Sequence, residues 1–459
     1  MLSFLLRLPA HWPHVVLLVI AAAWGILAVL TAPLFEVVYV TSGRGVMILC
    51  GYILAFVLGS WAVSAAAPAG GAAARARNAA RGRPDLRFAL VCTSVLAMTG
   101  IALRLYDRLI LRSADVTLSD IARRKLDIAV TASDSPLGVI AAPLTGFCFL
   151  PAMLILLNPK LVGPRVKIVA FMIALFPPVE TVVFQGGTSG VALALFLLLS
   201  VMATRPLAPA GSSRKKRRHL THGQQFGLLA FGIGGLSLGG ALFTARVHAM
   251  TGSISQYLLY AAGPSGNIVI PSQTALSLVD IPVLGQIGFV IYWISLYLTS
   301  GVYNLMFVLE RGFIFHTDGA IQAQVFLRAF DILTGNPSTA SASDANPLIG
   351  LYQTMFGDVY LDFGVVGGLV QCLLMGVIAA MVHRARLNGN FAAQLIDPIL
   401  KTFLLMGIFV SSFSSTGLFV LLAAMALLVL IVFAPKVGRA GRAPAANRRP
   451  AYRPAPRVP

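Results

Sequence analysis

An all-α polytopic membrane protein of about ten transmembrane helices, with 10–12 as the range, is the fold class that the sequence predicts. Three observations predict it. Of 459 residues, 57% are hydrophobic and only 11% charged, with a mean hydropathy of +0.83; one soluble core does not need so much apolar material. Apolar runs near the roughly 20 residues that cross a bilayer recur along the chain. Lysine and arginine gather in alternate connections, as they do in cytoplasmic loops.

The runs fall at residues 14–34, 46–66, 88–104, 137–157, 167–184, 188–204, 225–243, 359–382, 400–413 and 417–434. The first follows Arg7, as the apolar core of a signal peptide would. No small-residue cleavage site follows it directly and further runs do, so it is expected to stay as an anchor. Arg75, Arg77, Arg81, Arg83 and Arg87 mark the next connection on the basic side, followed by Lys160, Arg165 and Lys167, then RKKRRH at 214–219. Arg384, Arg386 and Lys401 mark another, and the tail after Ala434 is basic throughout. This side is expected to be cytoplasmic. Acidic residues, which did not set the topology, fall mostly on the other side: Glu36, the aspartates of 105–136, and Asp280 through Asp362. Asp85 and Asp397 are expected in cytoplasmic connections, and Glu180 lies inside a span after Pro177 and Pro178.

Residues 1–434 thus read as one transmembrane domain with two outward segments, 105–136 and 244–358. The second would be a large periplasmic region of short helices between late spans. Residues 435–459 read as a disordered basic cytoplasmic tail, rich in proline and arginine and poor in apolar residues. The formal charge of +19 sits in topogenic loops and in this tail. It therefore points to anionic lipid at the cytoplasmic loops, with no nucleic acid as a partner. Within 105–136, Leu118, Ile121, Ala122 and Ile128 recur at helical spacing opposite Arg123, Arg124 and Lys125. A helix lying on the bilayer or packed on the protein's own surface fits equally well.

Cysteine and histidine mainly exclude chemistry. Cys50, Cys92, Cys148 and Cys372 are isolated in apolar runs without CxxC spacing, and His219 and His222 have no accompanying carboxylate. No metal and no cofactor is expected.

Residues 287–313, IGFVIYWISLYLTSGVYNLMFVLERGF, are ambiguous. Both ends of 244–358 must lie outside if the flanking basic loops lie inside, so the segment holds no complete span or an even number. Gly301 and Asn304 would interrupt it, and irregular backbone at membrane depth survives only when buried or lining a cavity. A polar patch follows: Glu310, Arg311, His316, Asp318, Gln322, Gln324, Arg328, Asp331, Asn336, Asp344 and Asn346. Phe313, Phe315, Phe326, Phe330 and Tyr352, the last beside Gln353, are interleaved with it. Rings that cover apolar sugar faces and polar groups that meet hydroxyls suit a carbohydrate cleft, and arginines suit a phosphate. A structural cap held by ion pairs is the alternative.

The patch ends in GDVYLDFGVVGG, residues 357–368. Asp362, Phe363 and Gly364 form the tripeptide with which protein kinases hold magnesium, but no phosphate-cradling glycine loop, VAIK-like lysine or HRD-like loop accompanies it. Asp358 and Asp362, four apart, would share a helix face. They could form a general base, with one pKa raised by the other charge. Alternatively Asp358 caps the helix start, while Gly364 and Gly368 serve close helix contact.

YLTSGVYNLMFVLERG and ANPLIGLYQTMFGDVYLDFGVVGGLVQCLLMGV resemble the late periplasmic region of Wzy-type oligosaccharide repeat-unit polymerases of O-antigen and exopolysaccharide synthesis. There an aromatic-rich segment ends in a Tyr-x-Asp-Phe-Gly-like element opening a late membrane helix. The resemblance covers roughly 285–380, and elsewhere only hydropathy agrees. QGGTSG at 185–190 stands where family members often carry an arginine, so that role would pass to Arg246. The resemblance implies a metal-independent glycosyltransferase of the bacterial inner membrane with a periplasmic active site. Its substrate would be undecaprenyl-pyrophosphate-linked oligosaccharide, and a chain-length regulator a further partner. Arg311, Arg328 and His316, with Asp358 and Asp362, are the expected catalytic residues. Arg246, Asp318, Asp331, Tyr352 and Tyr360 are expected to bind substrate. An O-antigen ligase, with the same chemistry on another acceptor, and a flippase or transporter remain as alternatives.

Overall fold

The computed structural model describes residues 8–39, 43–66, 85–111, 135–185, 189–204, 268–279, 281, 285–312, 316–335, 354–411 and 416–433, with isolated positions at 227, 230, 234, 237, 241, 244 and 258. The protein is mainly helical, and seven of its helices are long and apolar enough to cross a membrane. It is a membrane-embedded helical protein.

Helix α1 (Pro13–Thr31) opens on proline at its first position, where no backbone donor is lost. A short strand, β1 (Phe35–Val37), leads to α2 (Arg44–Ala66). Helix α3 (Leu86–Leu105) is capped by Asp85, which accepts from the backbone of Arg87 and Phe88, and continues as a wider π-helical turn over Tyr106–Leu111. The expected span 137–157 is two helices, α4 (Pro136–Thr145) and α5 (Phe149–Leu157), joined by a tighter turn at Gly146–Cys148. There the chain passes close to the carbonyl of Phe419, 2.5 Å from where a Cβ on Gly146 would lie. Helices α6 (Pro164–Gln185) and α7 (Ser189–Ala203) follow. Strand β2 (Val269–Pro271) pairs antiparallel with β1, Glu36 opposite Ile270. After it come α8 (Gln273–Val279), α9 (Gly285–Arg311), α10 (Gln324–Thr334), α11 (Met355–Leu387), α12 (Phe391–Gly407) and α13 (Thr416–Phe433).

The bundle has two apolar cores. One joins α1, α2, α9 and α11; the other joins α3 to α7 with α12 and α13. The tightest interface is α2 against α11, and glycine makes it: a Cβ on Gly59 would sit 2.2 Å from the Leu373 carbonyl, and one on Gly376 2.1 Å from that of Phe56. Small residues at such contacts let two backbones approach within a membrane. Gly368 fits the close-contact role read from sequence, since Tyr52 Oη would lie 2.6 Å from its Cβ.

Two expectations change. Residues 285–311 form one unbroken helix, and Gly301 and Asn304 are buried within it. The glycine there makes room for the Phe409 carbonyl, 2.6 Å from its hypothetical Cβ, and does not break the helix. Helix α9 also follows the α1–α2 connection. The Phe35 ring lies 5.4 Å from Tyr292, Tyr39 Oη donates to the Tyr303 carbonyl at 2.9 Å, and Gly45 N donates to Glu310 Oε1 at 3.1 Å. Burial, with Tyr303 and Glu310 beside it, pushes the Tyr39 phenol well above its usual pKa, which keeps it a donor. Finally, Asp397 and Lys401 are not in a connection: α12 begins at Phe391, and both side chains are fully buried. The expected span 225–243 is described only at isolated positions. Most of the connections at 68–87 and around 214–219, the centre of 105–136 and the tail lie outside the described residues.

Candidate functional site

The end of the bundle that holds the α1–α2 connection is here called distal; the opposite end, where His14 meets Ser60, is proximal. The candidate site lies at the distal end, around the first turns of α11.

Thr354 caps α11, its Oγ1 accepting from Gly357 N at 3.0 Å. The cap expected at Asp358 thus falls to a residue four positions earlier. Asp358 is 1% exposed; it accepts from Ser411 Oγ, while its Oδ1 has no hydrogen-bond partner among the described residues. One turn on, Asp362 is also buried, and both its oxygens are engaged. Oδ1 accepts from Thr317 Oγ1 at 2.5 Å and Ile321 N at 2.9 Å, and Oδ2 from Gln322 N at 3.0 Å. Main-chain bonds from Thr317 N to Leu361 O and from Asp318 N to Asp362 O extend the seam. Paired amides of Gln322 and Gln371, at 2.8 and 3.2 Å, close it. Asp362 therefore caps a neighbouring segment, residues 317–322, instead of its own helix.

That docking needs a break in α11. Gly364 has φ 64° and ψ −167°, a region open essentially to glycine alone. Its carbonyl turns to accept from Tyr52 Oη at 2.9 Å. The His316 ring covers the gap, with Nε2 2.5 Å from where a Cβ on Gly364 would lie, and stands edge-on to Tyr360 at 5.8 Å. His316 and Asp318 are exposed, and Asp318 adopts φ 49°, rare for a residue with a side chain. Arg311, at the end of α9, is exposed with its guanidinium 4.6 Å from the Phe307 ring centre.

Of the residues expected from sequence, His316, Tyr360 and Asp362 are brought together, with Asp318 next to them and Asp358 one turn away. Arg311 lies at the end of α9, and Asp331 lies on α10 with Arg328, of which only the backbone is described. Arg246, Tyr352 and Gln353 lie outside the described residues. Asp362→Asn should loosen the seam, because an amide keeps one acceptor oxygen and turns an NH2 donor toward a main-chain N–H that the carboxylate accepted from. The expected result is faster backbone hydrogen exchange at 317–322 with little change in α2; unchanged exchange there would contradict the capping role.

Two buried ionic clusters were not read as sites from sequence. Distally, Arg104 Nε pairs with Glu180 Oε1 at 2.9 Å, with Arg108 3.9 Å away, while Ser135 Oγ donates to buried Asp107. Proximally, Asp397 Oδ2 meets Arg386 Nε at 2.8 Å and Lys401 Nζ at 3.1 Å. His383 Nδ1 lies 2.9 Å from Lys401 Nζ and 3.2 Å from Asp397 Oδ1, under the Trp12 ring at 4.8 Å. Nδ1 thus faces a group that only donates and one that only accepts. Arg386 also donates to the Thr204 carbonyl at 3.1 Å, tying α7 to α11. A sequence signal existed: Asp397 and Lys401 stand four apart in an otherwise apolar helix, the spacing of a helical ion pair.

Comparison with known protein families, with curated proteins and with solved structures finds no match for this chain.

Proposed function

We propose that the protein is a glycosyltransferase of the bacterial inner membrane, with about ten spans, that joins undecaprenyl-pyrophosphate-linked oligosaccharide repeat units. Its distal end would face the periplasm. The observation that carries this reading is exposed His316, held against the Gly364 break, within the stretch whose sequence resembles the repeat-unit polymerases. In this scheme the acceptor hydroxyl oxygen bonds to the anomeric carbon of the donor sugar, and its proton passes to the His316 imidazole. The bond from that carbon to pyrophosphate breaks, and the leaving group departs with the electron pair. Arg311, with Arg328 and Arg246, would neutralise it. Asp362 is then a positioning residue, holding the turn that follows His316.

The buried charges favour a second reading. Ionisable groups inside membrane helices mark transport paths as well as structural pairs, so a carrier of lipid-linked oligosaccharide is the competing function. Deletion of the gene, followed by analysis of lipid-linked glycans, separates the readings. A polymerase predicts single capped repeat units, a flippase unflipped precursor, and a ligase long polymer left on the lipid. His316→Ala and Arg311→Ala, at parental expression, should each lower polymer formation about 100-fold or more if they act on the proton and the leaving group. Polymer of normal amount and length from both would sink the assignment.

A further inference from the structure

Helix α10 is amphipathic in the reverse sense. Phe326, Phe330 and Leu333, at positions i, i+4 and i+7, share one face and are 45, 55 and 58% exposed. Gln324 and Asp331 fall on the opposite face, half-buried and engaged by other groups. A helix on a water-facing surface turns its apolar side inward. This one turns it outward, which suits a surrounding solvent of hydrocarbon.

Its depth agrees. The turn before α10 is fixed to α11 through Asp362 and Gln371, and Gln371 lies seven residues, about 10 Å at helical rise, beyond the Gly364 break. Helix α10 packs against α4, whose Ile140 is 49% exposed, while Val366 and Val370 of α11 are 75 and 55% exposed. Both α4 and α11 belong to segments long and apolar enough to span. The aromatic face of α10 therefore continues the apolar exterior of the spanning helices.

We infer that α10 is embedded in the distal leaflet, with Phe326, Phe330 and Leu333 against lipid acyl chains. The described segment from His316 to Gly335 is then a re-entrant element and not part of a water-exposed cap. This inference stands apart from the glycosyltransferase reading and needs only that the chain is membrane-embedded.

The test uses the full-length protein in liposomes of phosphatidylethanolamine and phosphatidylglycerol. A benzophenone amino acid replaces Phe326, Phe330, Leu333 or, as a comparison, Gln324, one at a time. After irradiation, intact mass should rise by one phospholipid at the first three positions and not at Gln324. Crosslinks of dimer mass would show a second copy on this face, and crosslinks to another protein a different partner. Absence of any adduct would show water there. Each of these overturns the inference. Should the bulky probe disturb folding, Phe330→Trp decides. Its added emission, after subtraction of the parent's four tryptophans, should be mostly lost with brominated-chain lipid and retained with aqueous iodide. The opposite pattern would refute embedding.

Discussion

Gly364→Ala should be among the most damaging single-methyl changes in this protein. The backbone conformation at 364 costs any other residue about 1–3 kcal/mol. In addition, the new Cβ would lie 2.5 Å from His316 Nε2 and 3.0 Å from Cε1. Two outcomes are open to the chain, and both are harmful: α11 straightens and the Gly364 carbonyl leaves Tyr52, or the break persists and His316 is expelled. The variant should lose thermal stability in detergent, and His316 should become more reactive toward diethylpyrocarbonate. Gly25→Ala is the matched control, since nothing lies within 4 Å of a Cβ there, and it should be nearly neutral. A Gly364→Ala protein as stable as the parent, with His316 reactivity unchanged, would show that the break is not required.

Asp397→Ala should be comparably severe for a different reason. Asp397 is the one carboxylate facing Arg386, Lys401 and His383 among the described residues. Removing one partner from a buried ionic group leaves uncompensated charge and typically costs about 3–5 kcal/mol. Lys401→Met should cost less, because Arg386 still neutralises the acid. The paired change Asp397→Leu with Lys401→Met should recover part of the loss, since a well-packed apolar pair of similar volume can replace a buried ion pair. Unfolding midpoints of the three variants in lipid nanodiscs would check the order. Equal midpoints for Asp397→Ala and the parent would mean that the cluster is solvated and that its burial is irrelevant to stability.

The helical, membrane-embedded class was legible because length and hydropathy of single segments decide it. What sequence could not supply was partnership across segments. Asp362 was legible as either a base or a cap; that it caps a turn some 40 residues earlier follows only from tertiary contact. Gly364 looked like one half of a packing pair, since neither composition nor spacing encodes φ. Lys401 and Asp397 were assigned to a loop because a charge normally ends an apolar run. That rule fails where two opposite charges satisfy each other inside the bundle. Phe326 and Phe330 read as sugar platforms because aromatic residues among polar ones look alike in a cleft and at a bilayer. Only their outward placement on α10 separates the two.

The contact between α2 and α11 also limits how the protein can move. At Gly59 and Gly376 main chain lies against main chain, with no side chain between them to change rotamer. Sliding α11 by a single residue would move Gly376 away and bring a residue with a β-carbon toward the Phe56 carbonyl. The two helices thus form one stiff post, and any rearrangement has to come from parts hung on that post. The strap formed by residues 316–335 is the candidate, since the α4–α5 joint at Gly146 is itself packed on the Phe419 main chain.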